Sequence, residues 1–334
     1  MRVQIYMGGF RYIRKSGIGR AILHQTRSLE AAGIETTNSW WKPADIIHIN
    51  TIFPDSVIAS CIAKMQGKSV VYYAHSTEED FRNSFKGSNW LAPFFKRWIQ
   101  FCYNLGDIII TPTEYSKSLL RKYGIDKQIY PISNGIDTYF FLPNDKKKQS
   151  FRQKYGIAEG TPVIISAGHF IARKGIIEFA DLARRMPNAE FMWFGNTNLS
   201  IVPQAVRDVV ENPLKNLHFP GFVTPNELRD AYCGADVFAF MTHEETEGIV
   251  VLEALACGIS VVVRDIPVYD HWLEADVHVC KAKTTEEFKE KIESILRGEK
   301  LQLRENGLEI ARQRSMKEIG LKLKAIYEKE GFVK

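Results

Sequence analysis

The chain contains no run of about 18 consecutive apolar residues, so no segment is expected to cross a bilayer as a helix. Its five cysteines, Cys61, Cys102, Cys233, Cys257 and Cys280, are widely spaced, odd in number and include no Cys-x-x-Cys pair. Neither a disulfide framework nor a thiolate zinc site is indicated. A reducing, cytoplasmic compartment fits best, with the cysteines acting as small buried hydrophobes. No repeat of 20–50 residues stands out, which excludes a solenoid. The N-terminal Met1–Phe10 is a strand-like apolar run followed by glycines, with no small-residue cleavage site, so a secretory leader is not expected.

What is present is an ordinary soluble composition: 45% hydrophobic and 25% charged residues in 334. That length suggests two domains. The net charge of +5 is unevenly placed. Residues 1–150 carry 20 Lys+Arg against 12 Asp+Glu, whereas residues 151–334 carry 24 against 27. A +8 half beside a −3 half points to an anionic partner for the first, either a membrane surface or nucleic acid.

Short β-branched runs alternate with longer amphipathic ones. The pattern predicts strands at Val3–Tyr6, Ile46–Ile49, Ser69–Tyr73, Asp107–Thr111 and Gln128–Ile132, then at Val163–Ala167, Glu190–Phe194, Asn216–Phe219, Val237–Phe240 and Ser260–Val263. Helices are expected between them, at Gly19–Ala32, Asp55–Gln66, Leu91–Asn104 and Glu114–Tyr123, then at Gly175–Arg185, Asn226–Cys233 and Ile249–Cys257. Such alternation, occurring twice, predicts two doubly wound α/β domains with parallel sheets. The polar stretch Leu142–Gln149 after the Asn134-Gly135-Ile136-Asp137 turn sets the boundary at 145, giving domains 1–145 and 146–334. From Lys283 onward the chain reads as charged helix, with no strand signal after about Val279, and this end could return to the first domain. Ligands of open parallel sheets bind beyond the carboxyl strand ends, so the chemistry is expected in the loops there and in a cleft between two facing sheets.

Met241–Gly258 runs from the end of a strand through an acidic loop to Gly248 and a helix opening at Ile249. Unpaired N–H groups at a helix start suit a phosphate. Glu245 and Glu253, eight positions apart, can each accept hydrogen bonds from vicinal hydroxyls; the plainer alternative is acids that merely favour a helix N-terminus. Ser166–Gly175 carries His169 and, at the start of the next helix, Arg173 and Lys174, which taken alone read as solvated charges. Two cations at a helix start oppose its dipole, which weighs against their being only solvated charges. Phe219–Val223, with Phe222 and Val223, reads as a strand and a turn. His75 ends the strand Val70–Ala74, and a lone histidine there is either structural or turned toward a ligand. Gly8–Gly19 is glycine-rich and opens a helix; Gly17 and Gly19 nearly match the dinucleotide fingerprint, which fails at its third glycine and lacks the acidic partner. In Gly87–Gly106, Trp90, Leu91, Phe94, Phe95, Trp98, Ile99 and Cys102 fall at helical spacing, with Lys96 and Arg97 elsewhere on the wheel. Such a helix either lies in a bilayer interface or packs its stripe on the first sheet.

Glu245-x7-Glu253, with Ala254 and Gly258–Val262 following, resembles the signature of retaining GT-B glycosyltransferases of family four. Ser166–Gly175 is similar to that family's diphosphate loop, with Lys174 at the lysine position and His169 where the family has arginine. Phe219–Val223 resembles the segment that reads the nucleotide base, and Asn134–Asp137 the turn ending the family's first domain. The strings Val71–Arg82 and Thr242–Gly248 resemble Gram-positive glycolipid synthases that add a hexose to diacylglycerol or its monoglucosyl form, products that include lipoteichoic acid anchors. The resemblance implies a GT-B fold, two Rossmann-like domains facing a central cleft. It implies a retaining hexosyltransferase that takes glucose or galactose from UDP-glucose or UDP-galactose to a membrane glycolipid such as monoglucosyl-diacylglycerol.

In those terms His75, Glu245 and Lys174 are the catalytic set. His169, Arg173, Lys174, Phe222, Val223, Glu245, Gly248, Ile249 and Glu253 bind the donor, and Gly17 and Gly19 belong to the acceptor and phosphate loop. Arg14, Lys15, Trp90, Phe94, Lys96, Arg97 and Trp98 meet an anionic membrane. The enzyme would be cytoplasmic and peripheral on the inner face of the cell membrane, without a nucleic-acid partner. No Asp-x-Asp pair occurs, so the metal–diphosphate site of the other main glycosyltransferase fold is not expected, nor is a cofactor. Rival readings are a transferase for a capsule, cell-wall or soluble saccharide acceptor, a GT-B epimerase or phosphorylase, and a non-catalytic nucleotide-sugar- or RNA-binding module.

Overall fold

The computed structural model describes residues 1–14 and 16–332. It divides into two compact units. The first comprises residues 1–81, 90–137 and 313–334, the second residues 82–89 and 138–312. The change of unit at 137/138 comes earlier than 145, directly after the Asn134–Asp137 turn. The stretch read as a polar linker is largely helix: Asn144 caps it by accepting from Lys147 N at 3.1 Å, and the helix spans Asp145–Lys154. Polar composition hides it, because Phe151 is its one buried side chain.

In the first unit the order is β1 (Arg2–Ile5), α1 (Phe10–Ile13), α2 (Gly17–Ala31), β2 (Glu35–Thr37), β3 (Ile46–Ile49), α3 (Pro54–Met65), β4 (Ser69–Tyr73), α4 (Glu78–Phe81), α5 (Ser88–Asn104), β5 (Ile108–Thr111), α6 (Glu114–Lys122) and β6 (Gln128–Pro131). The six strands are all parallel, in the order β2-β1-β3-β4-β5-β6. Alternation along each strand sends its side chains to opposite faces. Val71, Tyr73, Ile108 and Ile110 join Ile22 and Leu29 of α2 on one face, whereas Val70, Tyr72 and Ile109 join Ala59 of α3 and Ile99, Cys102 and Tyr103 of α5 on the other.

The second unit runs α7 (Asp145–Lys154), β7 (Val163–Ala167), α8 (Ile176–Arg185), β8 (Glu190–Phe194), α9 (Gln204–Glu211), β9 (Leu217–Gly221), α10 (Pro225–Gly234), β10 (Val237–Phe240), α11 (Ile249–Ala256), β11 (Ser260–Arg264), β12 (Cys280–Ala282), α12 (Thr285–Leu296) and α13 (Gln302–Gln313). Its parallel sheet has the order β12-β11-β10-β7-β8-β9. β12 corrects the reading that strands end by Val279: three residues are too few to show a pattern, and they are specified by pairing with Val262–Arg264. The chain then returns as α14 (Met316–Lys329), which lies on α2 in the first unit. Gly320 permits that approach, because a Cβ there would stand 1.9 Å from Ser28 O. Ile319, Leu323 and Tyr327 of α14 complete the first unit's core.

Candidate active site

Because both sheets are wholly parallel, every carboxyl strand end of a unit lies along one edge. In the second unit that edge carries the loops after β7, β8, β9, β10 and β11. The β7–α8 loop is held against the end of β10: Gly175 has φ +81°, and a Cβ there would stand 2.2 Å from Met241 O, so only glycine fits. His243 N donates to Arg173 O at 2.8 Å, tying the two loops together.

This contact brings Lys174 and Glu245 into a direct ion pair, with side chains 15% and 8% exposed. The Lys174 ammonium also lies 5.7 Å from the centroid of the Phe240 ring. Arg173 is buried and turned into the loop: its Nη1 donates to Glu244 O at 2.6 Å and its Nε to Ser84 Oγ at 3.2 Å. Thr242 Oγ1 donates to Glu244 O at 2.9 Å, so the acidic loop is held from both sides. Sequence reading treats Arg173 as a phosphate cation; the geometry shows it as a brace for the backbone that carries Glu245.

Gly248 enters α11 with φ +89°, a backbone conformation that favours glycine, beside Tyr269 and Phe240. Buried Tyr269 has a pKa raised well above the ordinary value, first by burial and then by the charges of Glu245, Glu244 and Glu247. Ile249 opens the helix. Glu253, its fifth residue, is fully buried and accepts from Tyr232 Oη at 3.0 Å, a partner on α10 that the spacing of the acids does not reveal. His169 is exposed and donates from Nδ1 to Asn196 O at 3.0 Å, joining the loops after β7 and β8. Phe222 is exposed and Val223 half-buried just beyond β9. The structure therefore brings Lys174, Glu245, Arg173 and Gly248 into one contact network, with His169, Phe222 and Val223 on neighbouring loops of the same edge and Glu253 behind in α11.

In the first unit His75 follows β4, buried, with Nε2 3.0 Å from Asn50 Oδ1 and its ring stacked on Tyr73 at 5.8 Å. Burial pushes its pKa down to about 4, so the ring is neutral near pH 7. Asn50 ends β3, and Gln25 of α2 pairs with it through both amide groups at 3.1 Å. These polar partners escape sequence reading, because a Gln inside an amphipathic helix and an Asn after a strand look like surface residues.

Gly17 and Gly19 lie inside the first turn of α2 and not in a loop before it. Ser16 caps that turn, accepting from Gly19 N at 3.4 Å. Gly19 is required sterically, since a Cβ would stand 2.4 Å from Ile13 O, whereas nothing crowds Gly17. Arg14 is exposed, and Lys15 falls outside the described residues.

The aromatic stripe of α5 divides. Ala92, Ile99, Cys102 and Tyr103 are buried on the sheet, whereas Trp90 (75% exposed), Phe94 (60%), Leu91, Trp98 and Phe101 face outward with Arg97 among them. The single stripe read from spacing is thus two: Ile99 and Cys102 pack on the sheet while its other members face outward, and because both sides of the helix are apolar, periodicity cannot separate them. Lys96 turns away from this face, pairing with Glu78 at 3.5 Å and lying over the Tyr123 ring at 4.6 Å. Among the described residues no helix is long and apolar enough to cross a membrane.

Two doubly wound parallel sheets in one chain, with charged loops at the carboxyl strand ends, are the architecture of the GT-B fold. Solved structures share this fold. Anabaena Alr3699/HepE in complex with UDP and glucose matches with a TM-score of 0.78 at 16% identity, covering 98% of this chain and 99% of that one. Sucrose-phosphate synthase from Thermosynechococcus elongatus matches at 0.73 and 18% identity, over 86% and 74% of the respective chains. By sequence the chain belongs to the glycosyltransferases: the model for glycosyl transferases group 1 matches residues 147–314, and that for glycosyltransferase family 4 matches residues 20–140. It is 39% identical over 330 residues to processive diacylglycerol alpha-glucosyltransferase of Acholeplasma laidlawii, covering 98% of each chain. It is 27% identical over 255 residues to alpha-galactosylglucosyldiacylglycerol synthase of Streptococcus pneumoniae, covering 75% of this chain and 67% of that one.

Proposed function

We propose that this glycosyltransferase moves glucose from UDP-glucose to a diacylglycerol lipid or its monoglucosyl form, with retention, leaving an α-linkage. The observation that carries the acceptor is the 39% identity, end to end, with a diacylglycerol glucosyltransferase. Glucose as the sugar is supported by the same relative, and UDP as its carrier by the UDP and glucose held by a protein of this fold. UDP-galactose is the competing donor.

Lys174 would leave Glu245 in part to meet the donor diphosphate, which brings the two negative charges that an ammonium in a partly dry site favours. The N–H groups at the start of α11 would add to this. Glu245, released toward the sugar, would accept from its hydroxyls, and Glu253 would serve the ribose. His169 would offer its ring beside the phosphates in place of an arginine, and Phe222 and Val223 would border the base. His75, neutral, would hydrogen-bond the sugar beside the reacting carbon. Attack from the face of the leaving group, with the leaving phosphate taking the acceptor's proton, would keep the anomeric configuration. The nucleotide sugar is a substrate, and the scheme uses no resident cofactor or metal.

The acceptor sits in a bilayer, and the outward face of α5 suits that surface: Trp90, Phe94 and Trp98 can enter the headgroup region while Arg97 and Arg14 meet anionic lipid. The unit bearing it has 21 Lys+Arg against 14 Asp+Glu, the +7 side of the molecule. Each cation near an anionic leaflet contributes roughly 1 kcal/mol. The enzyme would thus be peripheral on the cytoplasmic face of the cell membrane. The decisive experiment supplies labelled UDP-glucose or UDP-galactose with diacylglycerol or monoglucosyl-diacylglycerol in anionic vesicles and separates the lipids. Label in an α-linked glycolipid is the expected result, and none in every combination would defeat the assignment.

A further inference from the structure

A line of buried hydrogen bonds leads away from His75. His75 Nε2 lies 3.0 Å from Asn50 Oδ1, and Gln25 Nε2 donates to the same oxygen at 3.1 Å. Asn50 Nδ2 donates back to Gln25 Oε1 at 3.1 Å, and His48 Nδ1 lies 3.0 Å from that oxygen. Tyr327 Oη, on α14, lies 2.6 Å from His48 Nε2. All five side chains are buried.

The sense of this chain follows from the groups in it. An amide oxygen only accepts. With Asn50 Oδ1 toward His75 and Gln25 Oε1 toward His48, His75 Nε2 and His48 Nδ1 must each carry a proton. Burial lowers both rings' pKa values, to about 4 for His75 and about 3 for His48, so each ring holds a single proton near neutrality. His48 Nε2 is then an acceptor, and the Tyr327 hydroxyl donates to it. Turning over both amides would reverse every bond and move the His75 proton to Nδ1. The Tyr327 hydroxyl can donate or accept, so it fits either sense; the sense is carried by the two paired amides, Asn50 Oδ1 toward His75 and Gln25 Oε1 toward His48.

We propose that Asn50, held by Gln25 and backed by His48 and Tyr327, is the positioning residue that keeps the proton of His75 on Nε2, so that Nδ1 meets the substrate as a hydrogen-bond acceptor. This rests on the reading that His75 faces the sugar, and it adds which atom acts and that the C-terminal helix takes part. His75 would accept from a sugar hydroxyl; it would not donate to one. The titratable groups around it are Tyr73 on its own strand, His48 from β3, Tyr327 from α14 and Tyr103 from α5, whose hydroxyl binds Ser76 N at 3.1 Å and Ser76 O at 2.8 Å. No charged group is among the causes of its lowered pKa.

The test is nitrogen-15 spectroscopy of the histidine rings in the full-length protein, with a pH profile of sugar transfer. Wild type should show His75 neutral and protonated on Nε2. Asn50→Asp should keep the tautomer but hold the ring's proton more strongly, raising the pH at which it charges by about 1–3 units, and the acidic limb of the turnover profile should rise with it. Wild-type His75 protonated on Nδ1, or a folded Asn50→Asp protein with an unmoved acidic limb, would overturn the proposal. If Asn50→Asp does not fold, the wild-type spectrum decides alone: a ring protonated on Nε2 supports the proposal and one protonated on Nδ1 overturns it. The ring measurement needs no turnover, so a wild type that transfers no sugar to lipid defeats the functional reading while the tautomer is still read.

Discussion

Removing either member of the Lys174–Glu245 pair should cost stability and turnover, and removing both should give back most of the stability and none of the turnover. With Glu245→Met the ammonium stays beside Phe240, 15% exposed, without its carboxylate, and with Lys174→Met the buried carboxylate is the charge left behind. Breaking a buried pair from one side costs about 3–5 kcal/mol, and the residual exposure here places the loss near 3. In a unit of about 180 residues that corresponds to a fall in Tm of roughly 6–12 °C. Lys174→Met with Glu245→Met leaves no stranded charge, and apolar replacement of a buried pair is often neutral or stabilising. The double variant should therefore melt within a few degrees of wild type, while glycolipid formation from labelled UDP-glucose falls by orders of magnitude in all three proteins. Thermal unfolding and lipid-extracted product measure the two effects separately. The reasoning fails if the Tm losses of the single variants simply add in the double variant, because the groups would then be uncoupled. It fails differently if a folded single variant transfers sugar at near-normal rates, because the pair would then be structural only.

Acid should weaken the first unit in a defined window. His24, His48 and His75 have native pKa values lowered by burial to about 4, 3 and 4, against an ordinary value near 6.5. The unfolded chain takes up protons between those limits and the native chain does not, so stability falls as pH drops from about 6.5 toward 4, by up to ~4 kcal/mol per pH unit where all three differ. Melting curves from pH 7 to pH 5 would show this, and a flat Tm would contradict it. Gly175→Ala forces a side chain against Met241 O in a positive-φ position, so it should lower Tm by several degrees and reduce turnover in step, read by melting and product assay together. Replacing exposed Trp90 and Phe94 by serine should leave Tm within a degree or two but reduce flotation with anionic vesicles several-fold; unchanged flotation would remove the membrane role of α5.

Ten strands and most helices are legible in the chain because a parallel sheet buries whole β-branched runs such as Ile108–Ile110, bounded by glycine and polar turns. β2 and β12 are not, since three-residue edge strands are specified by their neighbours. Glu245, Lys174 and Gly248 can be found from spacing and helix-start chemistry. Their supports cannot: Arg173 as a loop brace, Tyr232 behind Glu253 and the Gln25–Asn50–His48–Tyr327 line depend on residues up to 279 positions apart. Such pairings carry no periodic signal, because each is one polar group answering another across the fold.

The return of α14 also sets an order of events during synthesis. Tyr327 meets His48 only after residues 316–329 have left the ribosome, whereas residues 138–312 can collapse while α14 is still being made. Until then Ile22 and Leu29 of α2 and Tyr73 of β4 lack the cover of α14, an apolar face waiting for a segment some 250–300 residues downstream. A nascent chain stalled or clipped before Met316 would therefore keep a finished second unit and a permanently immature first one, a form that chaperones and proteases would recognise by its exposed face.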